Sequence, residues 1–401
     1  MSQLSRNLAF VSLCGVFGTA VITAVVMVGS RHHDAPSLPL MVAENSPVLH
    51  RGFGHLHLAP AVTYANLTVY PVYAESTPTS VKPTAPEFTT LAEGMDRGAV
   101  SAREADCQCS PDSQAAREIP AGVTIPGSAA TNAEQGENHR GANLLMVTNV
   151  SPKPTYIPDG QVVPGGGQDR GAAADTIVPA RSAQVSVAAF CVEANRSSGP
   201  SPEFRKEVTL AIPSVRYAMQ VVGDQQPVWN SVAVATSHFG ATTESGTYAA
   251  LSRSRSALTA VQPYTEAMTV GIQAATPGRV IGVVATINGR IVCADLYRTP
   301  TLFNQMWPAL LRSYALQAAI VRLEAHEAAP SISVSEAGHW LSDLDTAPSV
   351  PSRTSAYTQV ARITTATGAG NRTAAVTGLD GSPRMALLHE AFWTAAAALT
   401  N

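Results

Sequence analysis

Two short runs gather residue types that could do chemistry. Gly165-Gly-Gly-Gln-Asp-Arg170 sets three glycines ahead of an amide, a carboxylate and a guanidinium. Glycines let a backbone come close to a ligand, and successive N–H groups in such turns make concavities that hold anions. Farther along, Cys191-Val-Glu-Ala-Asn-Arg196 closes an apolar run that begins at Val185. In extended chain alternate residues share a face, which predicts Cys191 and Glu193 together, opposite Val192. If a sheet brings the two runs side by side, two carboxylates, two guanidiniums, an amide and a thiol converge. Arg170 and Arg196 would then suit pyrophosphate oxygens, with Gln168 and Gly166 completing a ligand cradle. Asp169 or Glu193 would act as general base or stabilise an oxocarbenium-like centre. The same residues also fit a buried arginine–carboxylate network that only fixes the fold, and the two readings stand side by side.

Other motifs offer less. No Gly-Lys-Ser/Thr follows the glycine run, and it does not match the dinucleotide fingerprint. A nucleophilic Cys191 needs a base, yet His238, His326, His339 and His389 are scattered without a pattern. Cys107-Gln-Cys109 lacks the spacer and the second cysteine pair of a zinc site, and His50, His55 and His57 fall in tether-like sequence, so no metal and no cofactor is expected. Asp295 reads either as a further site carboxylate or as a strand-end residue. Cys191 and Cys293 lie in apolar runs and read as buried thiols, with two disulfides as the alternative for the four cysteines outside the N-terminal run.

The elements that must position these groups are mostly strands. Leu67–Tyr73 alternates apolar and polar positions, and Pro71 points to an edge or a strand end. Leu144–Val150 is predicted to return through Tyr156–Val163 as a hairpin about the Asp159-Gly160 turn. Val185–Val192 is a strand. Val280–Ile287 and Arg290–Leu296 flank Asn288-Gly289, a strong hairpin signal. A short helix is expected over Phe88–Met95. A longer one is expected from Thr299 as N-cap, with Pro300 first and Leu302, Phe303, Met306, Trp307, Leu310, Leu311 and Tyr314 on one stripe. After Ala328 a Ser- and Pro-rich stretch runs to Arg353, followed by β-structure at Tyr357–Ile363 and Met385–His389. Irregular mixing of hairpins and helices predicts an α+β fold with an antiparallel or mixed sheet, as one domain with long loops.

Of the 401 residues 45% are hydrophobic and 14% charged, which fits a chain that buries a core. The net charge of −3 offers no field for a polyanion and argues against nucleic acid as a partner. Leu8–Gly29 is uncharged and of membrane-spanning length, with Arg6 before it and Arg31 after it. Residues 1–30 are therefore read as a signal peptide or transmembrane anchor, 31–58 as a tether and 59–401 as the domain, with an inserted loop at 110–140. Either reading of the N-terminus places the domain outside the cytoplasm, secreted or held at the membrane.

Five runs in order, Asn66–Pro71, Gly160–Arg170, Cys191-Val-Glu193 with Arg196, Ile287–Leu296, and Leu302-Phe303 through Trp307-Pro308 to Leu311–Tyr314, resemble the ARG and rhodanese-phosphatase-superfamily-associated domain proteins, where ARG denotes ADP-ribosylglycohydrolase. The chain departs from that pattern in having Asn195 where Gly, and Ser197 where Trp, would follow Cys-Val-Glu. The resemblance implies a link to ADP-ribose or NAD-derived metabolites. Two functions are thereby set against each other: a domain that binds or processes such an anionic small molecule, and a non-enzymatic cell-envelope module that binds another protein.

Overall fold

The computed structural model describes residues 53, 55–74, 87–105, 144–275, 279–324, 331–354, 357–377 and 383–399. The N-terminal run, most of the tether, Cys107, Cys109, His326 and the insertion at 110–140 lie outside the described residues. All the described residues fall within one compact unit.

Strong β-formers, buried on both faces in the central strands, build the largest sheet, of nine strands among the described residues. Its order is Leu56–Leu58, Leu67–Ala74, Gly282–Ile287, Arg290–Tyr297, Pro383–Thr394, Gly368–Thr377, Thr358–Thr364 and Ser349–Thr354, with Val62–Tyr64 also paired to Leu67–Ala74. Every pairing in it is antiparallel. The hairpin about Asn288-Gly289 forms as predicted: both residues adopt positive φ, 48° and 70°, which a type I′ turn requires. Pro71 is not on an edge strand, because Leu67–Ala74 has neighbours on both sides. Its missing N–H faces the gap where Val62–Tyr64 stops at Val69 and Leu56–Leu58 starts at Val72, and its carbonyl accepts from Ala59 N–H at 2.8 Å.

Alternation divides this sheet's side chains between two apolar layers. Leu67, Val69, Val283, Ala285, Cys293 and Trp393 pack beneath the helices Arg255–Ala275 and Pro300–Glu324. Tyr70, Val72, Val284, Ala294 and Phe392 pack against Trp340, Leu341 and Leu344 of the helix Val334–Thr346. That helix corrects the loop expected after Ala328; Ser333 and Glu336 close a reciprocal cap at its start. The long helix starts as predicted, with Thr299 Oγ1 accepting from Leu302 N–H at 3.2 Å, and the short one spans Leu91–Asp96 behind a Thr90–Glu93 cap.

A six-stranded sheet carries the glycine run. Its order is Thr209–Leu210, Gln161–Val163, Arg170–Ala172, Ser182–Cys191, Leu144–Asn149 and Val100–Glu104. A small sheet of Thr176–Val178, Thr155–Ile157 and Thr89–Thr90 adds one parallel pair, so the fold is α+β with two antiparallel sheets and one small mixed sheet. The hairpin expected about Asp159-Gly160 is not formed. Leu144–Asn149 pairs with Ser182–Cys191 and Val100–Glu104, while the strands on either side of Asp159 belong to different sheets. The helices Pro213–Tyr217, Gln225–His238, Ala249–Arg253 and Arg255–Ala275 fill a region in which no element was predicted.

Candidate functional site

The strand pairing brings the two predicted runs together, with Cys191 opposite Arg170. It also divides them. Successive residues of a strand face opposite ways, so Asp169 and Arg170 part company. Arg170 donates to the Cys191 thiol and to Glu104 at 3.3 Å. Burial pushes the Cys191 thiol up, outweighing the Arg170 charge, so the sulfur is held as a thiol and not as a nucleophilic thiolate. Cys191 and Cys293 are both free and buried.

On the other side, Asp169, Glu193 and Arg196 close on each other. Asp169 Oδ1 accepts from Gly165 N–H (2.7 Å) and Arg196 (3.3 Å), and its Oδ2 from the Thr247 hydroxyl. Glu193 Oε2 accepts from Asp169 N–H (2.9 Å) and Arg196 (2.6 Å). Arg196 also caps the carbonyls of Gly166 (2.5 Å) and Gly165 (3.2 Å), and the Gln168 amide donates to Glu193 carbonyl at 3.1 Å. Asp169 and Glu193 are buried, and Arg196 keeps 27% side-chain exposure. Burial pushes the Asp169 carboxyl up, against the bonds from Thr247 and Gly165. Burial acts the same way on Glu193, but the bonds from Arg196, Ser245 and Asp169 N–H prevail and hold its carboxyl below the ordinary range.

That depression has a measurable consequence. A carboxyl with a lowered folded-state pKa contributes stability above its unfolded value, about 4.3, and loses it as pH falls through the folded value. Glu193→Gln is expected to be less stable than wild type at neutral pH and to lose less on acidification from about pH 5 to 3. Thermal melts of both chains across that window check this, and parallel Tm curves would contradict it.

The network has a neighbour that opens to solvent. Thr247, bonded to Asp169, also lines a groove of about 490 Å³. The loop 239–247 forms one wall, through Gly240, Thr242 and Thr243, and Arg253, Ser254, Arg255 and Ser256 at the start of the helix Arg255–Ala275 form the other. Asn195 secures the loop, its N–H donating to Ser245 carbonyl (2.9 Å) and its amide to Glu244 carbonyl (3.0 Å). Arg253 and Arg255 are exposed, and neither has an ion-pair partner among the described residues.

A second cluster, which no sequence motif announced, sits in the interior. Arg216, fully buried on the helix Pro213–Tyr217, donates to Asp295 Oδ1 (2.7 Å) and Oδ2 (3.1 Å) and to Asp159 Oδ1 (2.7 Å). Asp175 Oδ1 accepts from the Tyr156 hydroxyl (2.7 Å) and Asp159 N–H (3.0 Å), and its Oδ2 from Thr373 (2.7 Å). His389 bridges two carboxylates, Nδ1 to Asp175 at 2.9 Å and Nε2 to Asp295 at 3.2 Å, and stacks on Tyr297 with ring centroids 4.3 Å apart. Burial would lower the imidazole, but the Asp175 charge and the bonds to both carboxylates push it up to about 10. Burial raises the Asp159 carboxyl to about 6 against the opposing charge of Arg216. Asp295, predicted as a site or strand-end carboxylate, belongs here.

Local signals for this cluster were thin. Asp159 looked like half of a turn, and Arg216 and Asp175 have no local pattern. The one available sign was His389-Glu390 inside the apolar run Met385–Trp393: ionisable residues in a strand otherwise built for burial call for buried partners. Of the other described histidines, His55 and His339 are exposed, and His57 stacks on Tyr73 at 5.4 Å.

The fold and these two networks define an α+β domain that braces a glycine-rich turn with arginine–carboxylate pairs. The profile of the ARG and Rhodanese-Phosphatase-superfamily-associated Protein domain matches residues 55–392, and the chain belongs to that family. Comparison with curated proteins and with solved structures gave no match.

Proposed function

We propose that this domain binds an anionic, phosphate-bearing small molecule in the groove between the loop 239–247 and the helix Arg255–Ala275. The observation that carries the reading is the pair Arg253 and Arg255, exposed and without ion-pair partners among the described residues, in a lining that also holds Thr242 and Thr243. Guanidiniums and hydroxyls at a helix start are the donors that phosphate oxygens accept from. The volume of about 490 Å³ lies within the range of small-molecule sites. Asp169, Glu193 and Arg196 act from behind: through Thr247 and Asn195 they hold the loop in place. The groove's described lining has no carboxylate, imidazole or thiol, which supports binding rather than turnover. An ADP-ribose or NAD-type ligand is the particular choice, on the strength of the association in the family's name.

The protein-binding alternative calls for a contiguous apolar patch. The exposed large apolar side chains among the described residues, Val150, Val222, Leu258, Val270, Val334 and Val350, come from separate segments. The uncharged run Leu8–Gly29 supports a location outside the cytoplasm; among the described residues no helix is long and apolar enough to cross a membrane.

Calorimetric titration of the full chain with ADP-ribose, NAD and inorganic pyrophosphate tests the reading. Each charge-assisted contact contributes roughly 1.5–3 kcal/mol, so Arg253→Glu with Arg255→Glu is expected to weaken binding by at least about a hundredfold. Arg279→Glu, which removes a cation held elsewhere over Tyr73, leaves it unchanged. No heat with any of the three ligands, or equal affinity in the double variant, refutes the groove. Binding of pyrophosphate and ADP-ribose alike keeps the anion site and removes the nucleotide preference.

A further inference from the structure

Arg216 Nε, the Tyr297 hydroxyl and one carboxylate oxygen of the buried cluster have no hydrogen-bond partner, and the carboxylate oxygen is the one that bears on a ligand. Of the six carboxylate oxygens of Asp159, Asp175 and Asp295, five face a donor, and only Asp159 Oδ2 has none, although Asp159 is 2% exposed. A carboxylate oxygen in the interior without a partner is costly and points to something that it holds. Oxygens of Asp159 and Asp175 and a ring nitrogen of His389 lie within 4.8 Å of one another.

We infer that Asp159, Asp175 and His389 form a binding site for one divalent cation, with Asp295 as the carboxylate that orients the imidazole. The ligands come from three elements whose positions the packing fixes: the turn after Thr155–Ile157, the residue preceding Thr176–Val178 and the strand Pro383–Thr394. About an ion with bonds near 2.1 Å, tetrahedral ligands stand about 3.4 Å apart. The 2.9 Å separation of His389 Nδ1 and Asp175 Oδ2 already brings two donors that close. The opposite ring nitrogen, Nε2, faces Asp295 at 3.2 Å, the carboxylate–imidazole arrangement that sets a ligating histidine's tautomer.

Charge supports the same assignment. Three carboxylates share the cluster with the single guanidinium of Arg216, which pairs with Asp159 and Asp295, and a 2+ ion that takes the place of the imidazole's second proton brings the cluster to zero net charge. Two carboxylates with one imidazole suit a transition ion such as Mn²⁺ or Zn²⁺ better than Ca²⁺ or Mg²⁺, which take oxygen ligands. All three ligands are buried, so the ion's role is to tie the nine-stranded sheet to the small sheet.

The test starts from the full chain, purified without chelator and assayed for metal by mass spectrometry, then stripped and titrated with Mn²⁺, Zn²⁺, Mg²⁺ and Ca²⁺. One Mn²⁺ or Zn²⁺ per chain is expected, with a rise in Tm of about 5 °C at a hundredfold excess over Kd. Asp159→Asn is the diagnostic variant. It keeps Oδ1 for Arg216 and gives up no donor at the other atom, so it should fold and lose the ion at least about a hundredfold. If that variant fails to fold, Co²⁺ added to the wild-type chain must resist chelator for longer than a surface ion would. No metal and no Tm shift overturns the site. So does an ion retained by Asp159→Asn, or one stripped at once, since exposed histidines would then be holding it.

Discussion

Arg216→Met is expected to destabilise the protein by about 3–5 kcal/mol, the cost of stranding buried charges that have lost their partner. The guanidinium is fully buried and holds two carboxylates at once, Asp159 at 2.7 Å and Asp295 through both oxygens, while lying 5.0 Å from the centroid of the Trp393 ring. Methionine matches much of the volume but offers no donor. Asp295 would retain only Tyr314 and His389, and Asp159 no side-chain donor at all among the bonds described. Against a typical stability of about 5–15 kcal/mol, the variant should show a much lower denaturant midpoint. Adding Asp295→Asn should then cost far less than it does in the wild-type chain, because the two changes remove the same pair. Additive losses would mean that Arg216 acts through packing alone.

What could be read in advance separates along the line between local and long-range chemistry. The hairpin Gly282–Tyr297 was legible because Asn288-Gly289 carries its own backbone preference, and the start of the helix at Pro300 because Thr299 and Pro300 are cap residues whatever the tertiary context. The helix Gln225–His238 was not legible. It buries Val228, Val232, Ala235 and Thr236, a narrow stripe without Leu, Ile, Met or Phe. The helix Val334–Thr346 did carry a signal, Ser333 with Glu336, which the surrounding serines and prolines obscured.

The site followed the same division. The meeting of Gly165–Arg170 with Cys191–Arg196 could be anticipated, since both runs border strands, and the structure brings Gln168, Asp169, Glu193 and Arg196 into one network. That Arg170 would turn away to Glu104 and Cys191 depended on register. The Asp159–Arg216–Asp295–His389 cluster joins residues up to hundreds of positions apart, and a charge network of that reach leaves almost no mark on any one segment.

Gly165→Ala is expected to cost about 1–3 kcal/mol and to loosen the groove as well. Gly165 has φ of 126°, a conformation that side-chain-bearing residues rarely adopt. A Cβ there would stand 3.0 Å from the Glu203 carbonyl and from Phe204 Cα, backbone atoms held by pairing between Gly165 and Phe204. Relief requires moving the turn, and the turn is where the Asp169 network is anchored: Gly165 N–H donates to Asp169 at 2.7 Å and its carbonyl accepts from Arg196 at 3.2 Å. Asp169 in turn accepts from the Thr247 hydroxyl at the groove. A variant that still melts cooperatively should therefore bind the anionic ligand more weakly, although no atom of residue 165 lines the groove. Melting and titration of the same preparation separate the two effects. Lower stability with unchanged affinity would break the link between turn and groove, and assign to the glycine run a purely structural part.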